Sequence, residues 1–251
     1  MFYYETHLHT CQASACGVAD GRDYIDYMSG LGYSGIVVTD HFFNGNSCVP
    51  RDLSWPDRID MYCSGYEAAK NAAVGKDFSV FFGIEYNFDG DEFLLYGLDK
   101  KWLLDRPEIL SASRHEVYHE VHSSGGLMIQ AHPYRERDYL SAIHLTPSAC
   151  DGCEIYNAAN SPYMNALAHE YAVKNSMLMT AGSDIHYFHD KEKGALGFDH
   201  KLTSYAEFLK GIREKTAVPY SRRSNGIFIP VEDIPEQVTV TKAPYLTVFM
   251  H

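Results

Sequence analysis

The sequence predicts an α/β fold organised as a seven-stranded barrel, and three observations carry that expectation. Short β-rich apolar runs alternate with longer segments of helical period, the pattern of βα units and not of a sandwich or bundle. Seven such runs can be counted, and imidazoles or carboxylates cluster at their C-terminal ends, the face where barrels carry their active sites. In chain order the strand expectations are FYYET (2–6), GIVVT (35–39), FSVFFGIE (78–85), EFLLYGL (92–98), LMIQA (127–131), GCEIY (152–156) and MLMTA (177–181). Helices are expected over 22–31, 57–73, 107–123, 162–174 and 205–215, the second and third carrying apolar residues at three- and four-residue steps. Gly32, Gly75 and Gly125 stand where a C-terminal glycine would stop three of them. No internal repeat and no Pro/Ser-rich linker divides the chain, so 1–251 is expected to be one domain, with a less regular tail over 225–241 before a last apolar run at 245–250.

Composition narrows the function classes. The chain has 251 residues, 45% of them hydrophobic and 14% aromatic, which is the composition of a folded globular protein. Its 33 acidic and 21 basic side chains give a formal net charge of −12. Stable binding of duplex nucleic acid needs a basic stripe to displace counterions, and the basic residues cluster no further than pairs such as Arg222 and Arg223, so such a partner is not expected. Nothing approaches the ~18 consecutive apolar residues of a membrane span. MFYYETHLHT has no basic segment followed by an apolar one, so no secretory signal is visible and a cytoplasmic location is the expectation. The six cysteines are then expected to be reduced thiols. Cys150 and Cys153 form one C-x-x-C without the second pair that a structural zinc site requires.

His7 and His9 follow the first strand as H-L-H, and residues two apart on extended chain point to one face, so both imidazoles aim into one space. Asp40 and His41 end the second strand and Glu85 the third, Glu92 begins the fourth, His132 ends the fifth, and Asp184 and His186 follow the seventh. So many convergent imidazoles and carboxylates would repel or stay unsatisfied without a cation, which makes a metal centre the expected reading. By contrast, His115, His119 and His122 lie at i, i+4, i+7 spacing and are read as a solvated helix face. His144, His169, His200 and His251 are read as scattered.

The ordered set HLHT, TDH, GIE, AHP and GSDIH, with EIYNAANS before TAGSDIH, resembles the PHP (polymerase and histidinol phosphatase) family over residues 4–197. The resemblance implies a distorted seven-stranded (β/α) barrel, related to the TIM barrel, that holds two or three divalent ions (zinc, manganese or iron) and hydrolyses phosphate esters. It assigns His7, His9, Glu85 and Asp184 to one metal, with Glu85 bridging to a second held also by His132, and His41 and His186 to a third. Two positions depart from the commonest family pattern. After H-x-H this chain reads SACG, leaving Ser14 and Cys16 as local candidates, and Cys16 is open between a zinc-binding thiolate and a structural role. Where many members have a histidine after the bridging glutamate, this chain has Glu92, which can also bind such ions.

Water bridging two cations would be the nucleophile, with His41, His186 or His189 available to protonate the leaving group. Asp40 is open between orienting a ligand imidazole and capping a turn. Arg135, followed by Arg137 and Lys191, is the expected phosphate-binding cation, and Asp184 and Arg135 join His41 and His186 as expected catalytic residues. Asn157 is expected to donate to substrate or bound water, and Tyr134, Tyr156, Tyr163 and Tyr187 to wall the pocket. The expected partner is a small phosphorylated substrate, a phosphomonoester or nucleotide. The rival readings are an amidohydrolase-type metal-dependent hydrolase, disfavoured because the bridging place holds Glu85 and not a lysine, and a non-catalytic module that binds metal or phosphate.

Overall fold

The computed structural model of the protein describes residues 1–189, 191–240 and 242–251. The strands are β1 (Phe2–Glu5), β2 (Gly35–Val38), β3 (Ser79–Phe88), β4 (Asp91–Tyr96), β5 (Leu127–Gln130), β6 (Ala142–Leu145), β7 (Gly152–Asn157), β8 (Leu178–Gly182), β9 (Lys193–Phe198), β10 (Val218–Arg222), β11 (Phe228–Pro230) and β12 (Thr247–Met250). The helices are α1 (Tyr24–Gly30), α2 (Trp55–Ala72), α3 (Lys100–Leu104), α4 (Arg114–Ser123), α5 (Pro162–Lys174), α6 (Tyr205–Arg213) and α7 (Pro235–Val238). All seven strands expected from the sequence form, and they lie side by side in chain order as β1-β2-β3-β4-β5-β7-β8.

The sheet is a curled half-barrel of ten mixed strands in the order β11-β10-β9-β1-β2-β3-β4-β5-β7-β8, and the distorted seven-stranded barrel that the resemblance implies is not confirmed. The physical reason is that the free edge of β1 is taken by β9, which pairs antiparallel with it and leads on to β10 and β11. Past the strand ends the two limits of the ring are joined by backbone bonds. There Leu8 bridges Ile185, the His9 N–H donating to the Ile185 carbonyl at 2.9 Å and the Ile185 N–H to the His7 carbonyl at 3.2 Å.

A second difference concerns direction. β4 runs antiparallel to both β3 and β5, because residues Asp89 (φ 53°) and Gly90 (φ 103°) form a two-residue hairpin turn of the left-handed kind that Asp-Gly favours. The start of β4 therefore lies at the same end of the sheet as the close of β3, and Glu92 stands opposite Asn87.

Alternation along the strands divides the core. Phe93, Leu95 and Met128 pack outward in one cluster with Val117 and Val121 of α4 and Tyr171 of α5. Leu94, Tyr96, Leu127 and Ile129 pack inward against Phe208, Leu209 and Ile212 of α6. Because both faces are covered, these strands read as near-continuous apolar runs. The helix expected over 107–123 is broken: Pro107–Ser111 is a 3-10 turn, and Ser113 starts α4 afresh with a capping box to Glu116. The three stop glycines do adopt positive φ (Gly32 90°, Gly75 77°, Gly125 79°).

The tail expected over 225–241 contains β11, a 3-10 turn (Val231–Asp233) and α7, and its last residue, Thr241, lies outside the described residues. The final apolar run forms β12, which pairs in parallel with β6 as a separate two-stranded sheet. Among the described residues no helix is long and apolar enough to cross a membrane.

Candidate metal centre

The site is built where the apolar strands end. Beyond β1 the extended chain turns Leu8 into the core and sends His7 and His9 to the other face, all three fully buried. At the end of β2, a parallel bridge joins His41 to Glu85, with the Glu85 N–H on the Asp40 carbonyl (3.0 Å) and the Phe42 N–H on the Glu85 carbonyl (2.8 Å). His132 after β5 and Asp184 after β8 have φ of 29° and 55°. A side chain bearing a Cβ is held in that region at a cost of about 1–3 kcal/mol, a strain that collects at functional sites. Gly182 just before Asp184 admits no side chain, since a Cβ there would lie 2.6 Å from both Glu154 Oε1 and His7 Cβ.

Glu85, fully buried, is the hub. Its Oε1 lies 3.0 Å from His7 Nε2 and 3.2 Å from His132 Nε2, and its Oε2 lies 2.7 Å from His41 Nδ1 and 3.4 Å from His9 Nε2. Asp184 Oδ1 stands 3.1 Å from His9 Nε2 and 3.5 Å from His7 Nε2. Glu92 approaches His132 Nε2 at 3.5 Å and His41 Nδ1 at 3.7 Å. Four overlapping sets each bring three donor atoms within 4.8 Å: His7, His9 and Asp184; His7, Glu85 and His132; His41, Glu85 and Glu92; and His9, His41 and His186. The structure thus brings together all eight residues expected as ligands.

His7 Nε2, His9 Nε2, His41 Nδ1 and Glu85 Oε2 are buried without a hydrogen bond of acceptable geometry. Such atoms are costly to strand, and nitrogen and carboxylate donors aimed at common points suit a divalent ion.

A second layer of hydrogen bonds fixes the candidate ligands. His7 Nδ1 lies 3.2 Å from Glu154 Oε1, while Glu154 Oε2 accepts the His132 N–H at 3.1 Å and Asn157 Nδ2 at 2.8 Å. Glu5 Oε1 accepts the N–H groups of Thr6, His7 (both 2.9 Å) and Ser183 (2.8 Å), tying the β1 and β8 ends together. Sequence reasoning missed both glutamates. Their signal was a carboxylate inside an apolar strand, which must be neutralised or bonded when both faces are buried.

Asp40 accepts the Thr10 N–H (2.6 Å), the Thr10 hydroxyl (2.7 Å) and the Ser14 hydroxyl (2.7 Å). Ser14 Oγ in turn lies 3.1 Å from His9 Nδ1 and accepts the His41 N–H at 3.0 Å. Asp40 thus both holds a turn, the one after His9, and acts through Ser14 on a ligand imidazole.

Several expectations are corrected here. Arg135 spends its donors internally, on Asp184 Oδ2 (Nη1), Asn160 Oδ1 (Nε, 2.9 Å) and Asn157 Oδ1 (Nη2, 2.9 Å), which leaves Arg137 as the less committed guanidinium on the cleft. Asn157 is fully buried and engaged with Glu154 and Arg135, not turned to a substrate. Tyr156 is buried against Ser221, Tyr163 bonds Glu136, and Tyr134 packs on Tyr171. The rings that line the open space are Tyr139 and Tyr187. His189 lies outside the cluster, in the adjoining cleft with Tyr187 and Lys191. Cys150 and Cys153 are buried thiols facing the carbonyls of Thr146 and Ala168 and join no ligand set among the described residues. His115, His119 and His122 are exposed on α4, the solvated face expected of them.

Above the cluster opens a cleft of about 360 Å³ whose wall includes Cys16, His41, Glu92, Arg137, Tyr139 and His186. Electrostatics divide the candidate ligands below it. Against the burial of both rings, the carboxylates Asp184, Glu85 and Glu154 hold His7 well above its ordinary pKa, and Glu85 does the same for His41. Burial and the neighbouring His41 push His9 down to about 3. Glu85 and Asp184 stay well below the usual carboxylate range despite burial, the first beside His41 and His7, the second beside Arg135 and His7. Burial and the nearby Glu85 raise Glu92. Burial raises Asp40 to about 6 and Glu5 to about 7.

A pH dependence follows. Metal-free, His7 and His41 hold their protons at neutral pH and must lose them to bind a cation, so zinc loading at pH 7 is expected to release about two protons per chain. An imidazole with a raised folded pKa adds stability that is full below its unfolded value, ordinarily 6.5, and is lost as pH rises through the folded one. The metal-induced rise in Tm should therefore grow from weakly acidic toward alkaline pH. Calorimetry in buffers of different ionisation enthalpy counts the protons, and a Tm increment that shrinks with rising pH would contradict the assignment.

The fold of this half-barrel is shared with solved structures, one of them described as PHP-like. A two-domain protein from Bacteroides vulgatus, described as containing a predicted PHP-like metal-dependent phosphoesterase, matches with a TM-score of 0.63 at 14% identity over 94% of this chain and 68% of that one. Endonuclease Q from Pyrococcus furiosus matches at 0.52, and Endonuclease Q bound to a 27-mer duplex with an abasic lesion at the active site at 0.51, both at 12% identity over 85% of this chain and 56% of theirs. At these identities the likeness is one of fold. No family model and no curated protein matches the sequence.

Proposed function

We propose that the chain is a metal-dependent phosphoesterase that hydrolyses a small phosphomonoester or nucleotide at a centre of two or three divalent ions, with zinc, manganese and iron as the candidates. The observation that carries this reading is the Glu85 hub: one buried carboxylate whose two oxygens each face a pair of imidazoles, three of them, His7, His9 and His41, with stranded ring nitrogens. Ions bound there would bring a coordinated water toward hydroxide near neutral pH and neutralise the phosphoryl oxygens.

In this reading His7, His9, Glu85 and Asp184 hold the first ion, Glu85, His132 and Glu92 the second, and His41 and His186 the third. Arg135 acts through Asp184, keeping it ionised and aimed. Arg137, which makes no ion pair among the described residues, receives the phosphoryl oxygens at the cleft. Where only two ions bind, His186, partly exposed at the cleft wall, carries no metal and protonates the leaving alkoxide. The exposed rings of Tyr139 and Tyr187 take the organic part of the ester.

The fold's other occupants include an enzyme of DNA, but the net charge of −12 supports a small ester over a duplex. The described residues bring no lysine into the cluster, which supports a phosphoryl over an amidohydrolase reading. Six unpaired thiols suit a reducing, cytoplasmic setting.

The test is to strip the protein with chelator, add back manganese, zinc or iron singly, and follow an aryl phosphate and nucleoside monophosphates. Turnover restored by metal is the expected result. No turnover on any phosphoester with two or more ions bound would overturn the reading in favour of a binding module or amide hydrolysis.

A further inference from the structure

Glu136 is a buried carboxylate that the candidate metal centre does not use. It lies in the loop between β5 and β6, 3% exposed, and three donors from outside that loop converge on it. Its Oε1 accepts the backbone N–H groups of Tyr245 (2.5 Å) and Leu246 (3.0 Å), and its Oε2 accepts the Tyr163 hydroxyl. A carboxylate stays buried where such bonds offset its lost hydration, so the contact fixes the loop to two other parts of the chain. Tyr163 stands in the first turn of α5. Residues 245–246 lead directly into β12, which pairs with β6 at the far end of the same loop.

The second observation is the direction in which its neighbours face. Arg135, Arg137 and Tyr139, every second residue, line the cleft above the candidate ligands, while Glu136 turns away from it into the contact with residues 245–246. In a segment that alternates in this way, anchoring one face aims the other. Arg135 is held by its own three partners at the floor of the cleft. Arg137 makes no ion pair among the described residues, and its Nη1 donates to the carbonyl of Glu136 itself (3.0 Å), so its placement follows that of Glu136. Tyr139 sits in the next turn, which the Leu140 N–H closes on the Arg137 carbonyl at 3.0 Å.

We propose that Glu136 is a positioning residue for substrate: by clasping the backbone of residues 245–246 and the Tyr163 hydroxyl, it holds Arg137 and Tyr139 at the cleft in the attitude that receives the ester. The inference rests on the phosphoesterase reading above and adds to it the part of the chain that sets substrate affinity. The segment entering β12 thereby belongs to the binding apparatus, although it carries no group that reaches the candidate metal ligands. An arginine aimed in advance gives up less side-chain freedom when a phosphoryl group binds, so the clasp acts on affinity and not on the chemical step.

The experiment compares variants of the full, metal-loaded chain by two measurements, KM and kcat on an aryl phosphate, and the affinity for inorganic phosphate by calorimetry. Glu136→Ala should raise KM and weaken phosphate binding by roughly tenfold, the worth of one charge-assisted contact, while kcat and bound metal hold. Glu136→Gln should stay near the wild type, because the amide oxygen still accepts both N–H groups and the amide nitrogen can donate to the Tyr163 oxygen. Should the alanine variant not fold, Tyr245→Pro carries the test: it deletes one of the donors at a side chain that is 60% exposed, and should shift KM the same way. Unchanged KM and phosphate affinity in these variants, a loss in Glu136→Gln equal to that in Glu136→Ala, or a fall in kcat and metal content at constant KM each overturns the proposal. A wild type that binds phosphate but turns over no phosphoester, with the same loss of binding in Glu136→Ala, would overturn the function and leave the positioning role standing; turnover with KM unmoved by the variants would do the reverse.

Discussion

Glu85→Gln should lose at least one bound ion per chain and lower turnover on a phosphoester by roughly a thousandfold or more, the effect of removing several kcal/mol of charge stabilisation in the transition state. Four imidazoles lie within 3.4 Å of its two oxygens. The amide keeps the shape and removes the charge, so loss of metal would be traced to the bridge and not to a cavity. It should also leave a signature in the metal-free protein. The carboxylate is what holds the His41 imidazolium well above its ordinary pKa and helps Asp184 to hold His7 there. In the variant both imidazoles should titrate lower by histidine NMR, and stability gained on mild acidification should shrink accordingly. Unchanged metal content with unchanged turnover would remove Glu85 from the centre.

Arg135→Met should destabilise the metal-free protein by about 3–5 kcal/mol, the cost of leaving a buried charge without its partner. Arg135 bonds Asp184, Asn157 and Asn160 at once, and beside it the Asp184 carboxyl stays well below the usual range in a buried position. A bound cation would supply the missing positive charge, so saturating metal should recover a large part of the loss. A residue whose main task was to grip phosphate would behave differently: the substitution would raise KM and leave the metal-free melting transition where it was. Denaturant unfolding with and without zinc, run beside the kinetics, separates the two.

How far the sequence carried this account varies from element to element for physical reasons. The seven strands of the inner ring were legible because both their faces are buried and the runs are almost unbroken in apolar residues. β9 and β10 were not: KGALGF and VPYSR are short and broken by glycine, proline or charge, and they are strands because they close on β1 and each other from a distance. That same pairing is why the ring stays open. The reversal of β4 was present in the sequence as Asp89-Gly90 between two β-rich runs, a turn signal with a known hand.

The candidate ligands were legible because they interrupt apolar runs at their ends. The residues that hold it were harder to find, since Glu5 and Glu154 sit inside strands and only three-dimensional pairing gives them His7, His132 and Ser183 as partners. Arg135 shows the opposite case. Its place three residues after His132 announced a role, but its partners come from the β7 and β8 ends, and they make it a brace for Asp184 and not the free cation that spacing suggested.

The central claim is that the convergent imidazoles and carboxylates are a multinuclear metal centre organised on Glu85. Anomalous scattering from crystals of the metal-loaded protein tests it most directly. The account predicts two or more anomalous peaks within coordination distance, roughly 2.0–2.3 Å, of the ligand set, with at least one of them on the Glu85 carboxylate. Peaks confined to surface residues, or a fully loaded crystal with none at Glu85, would contradict it.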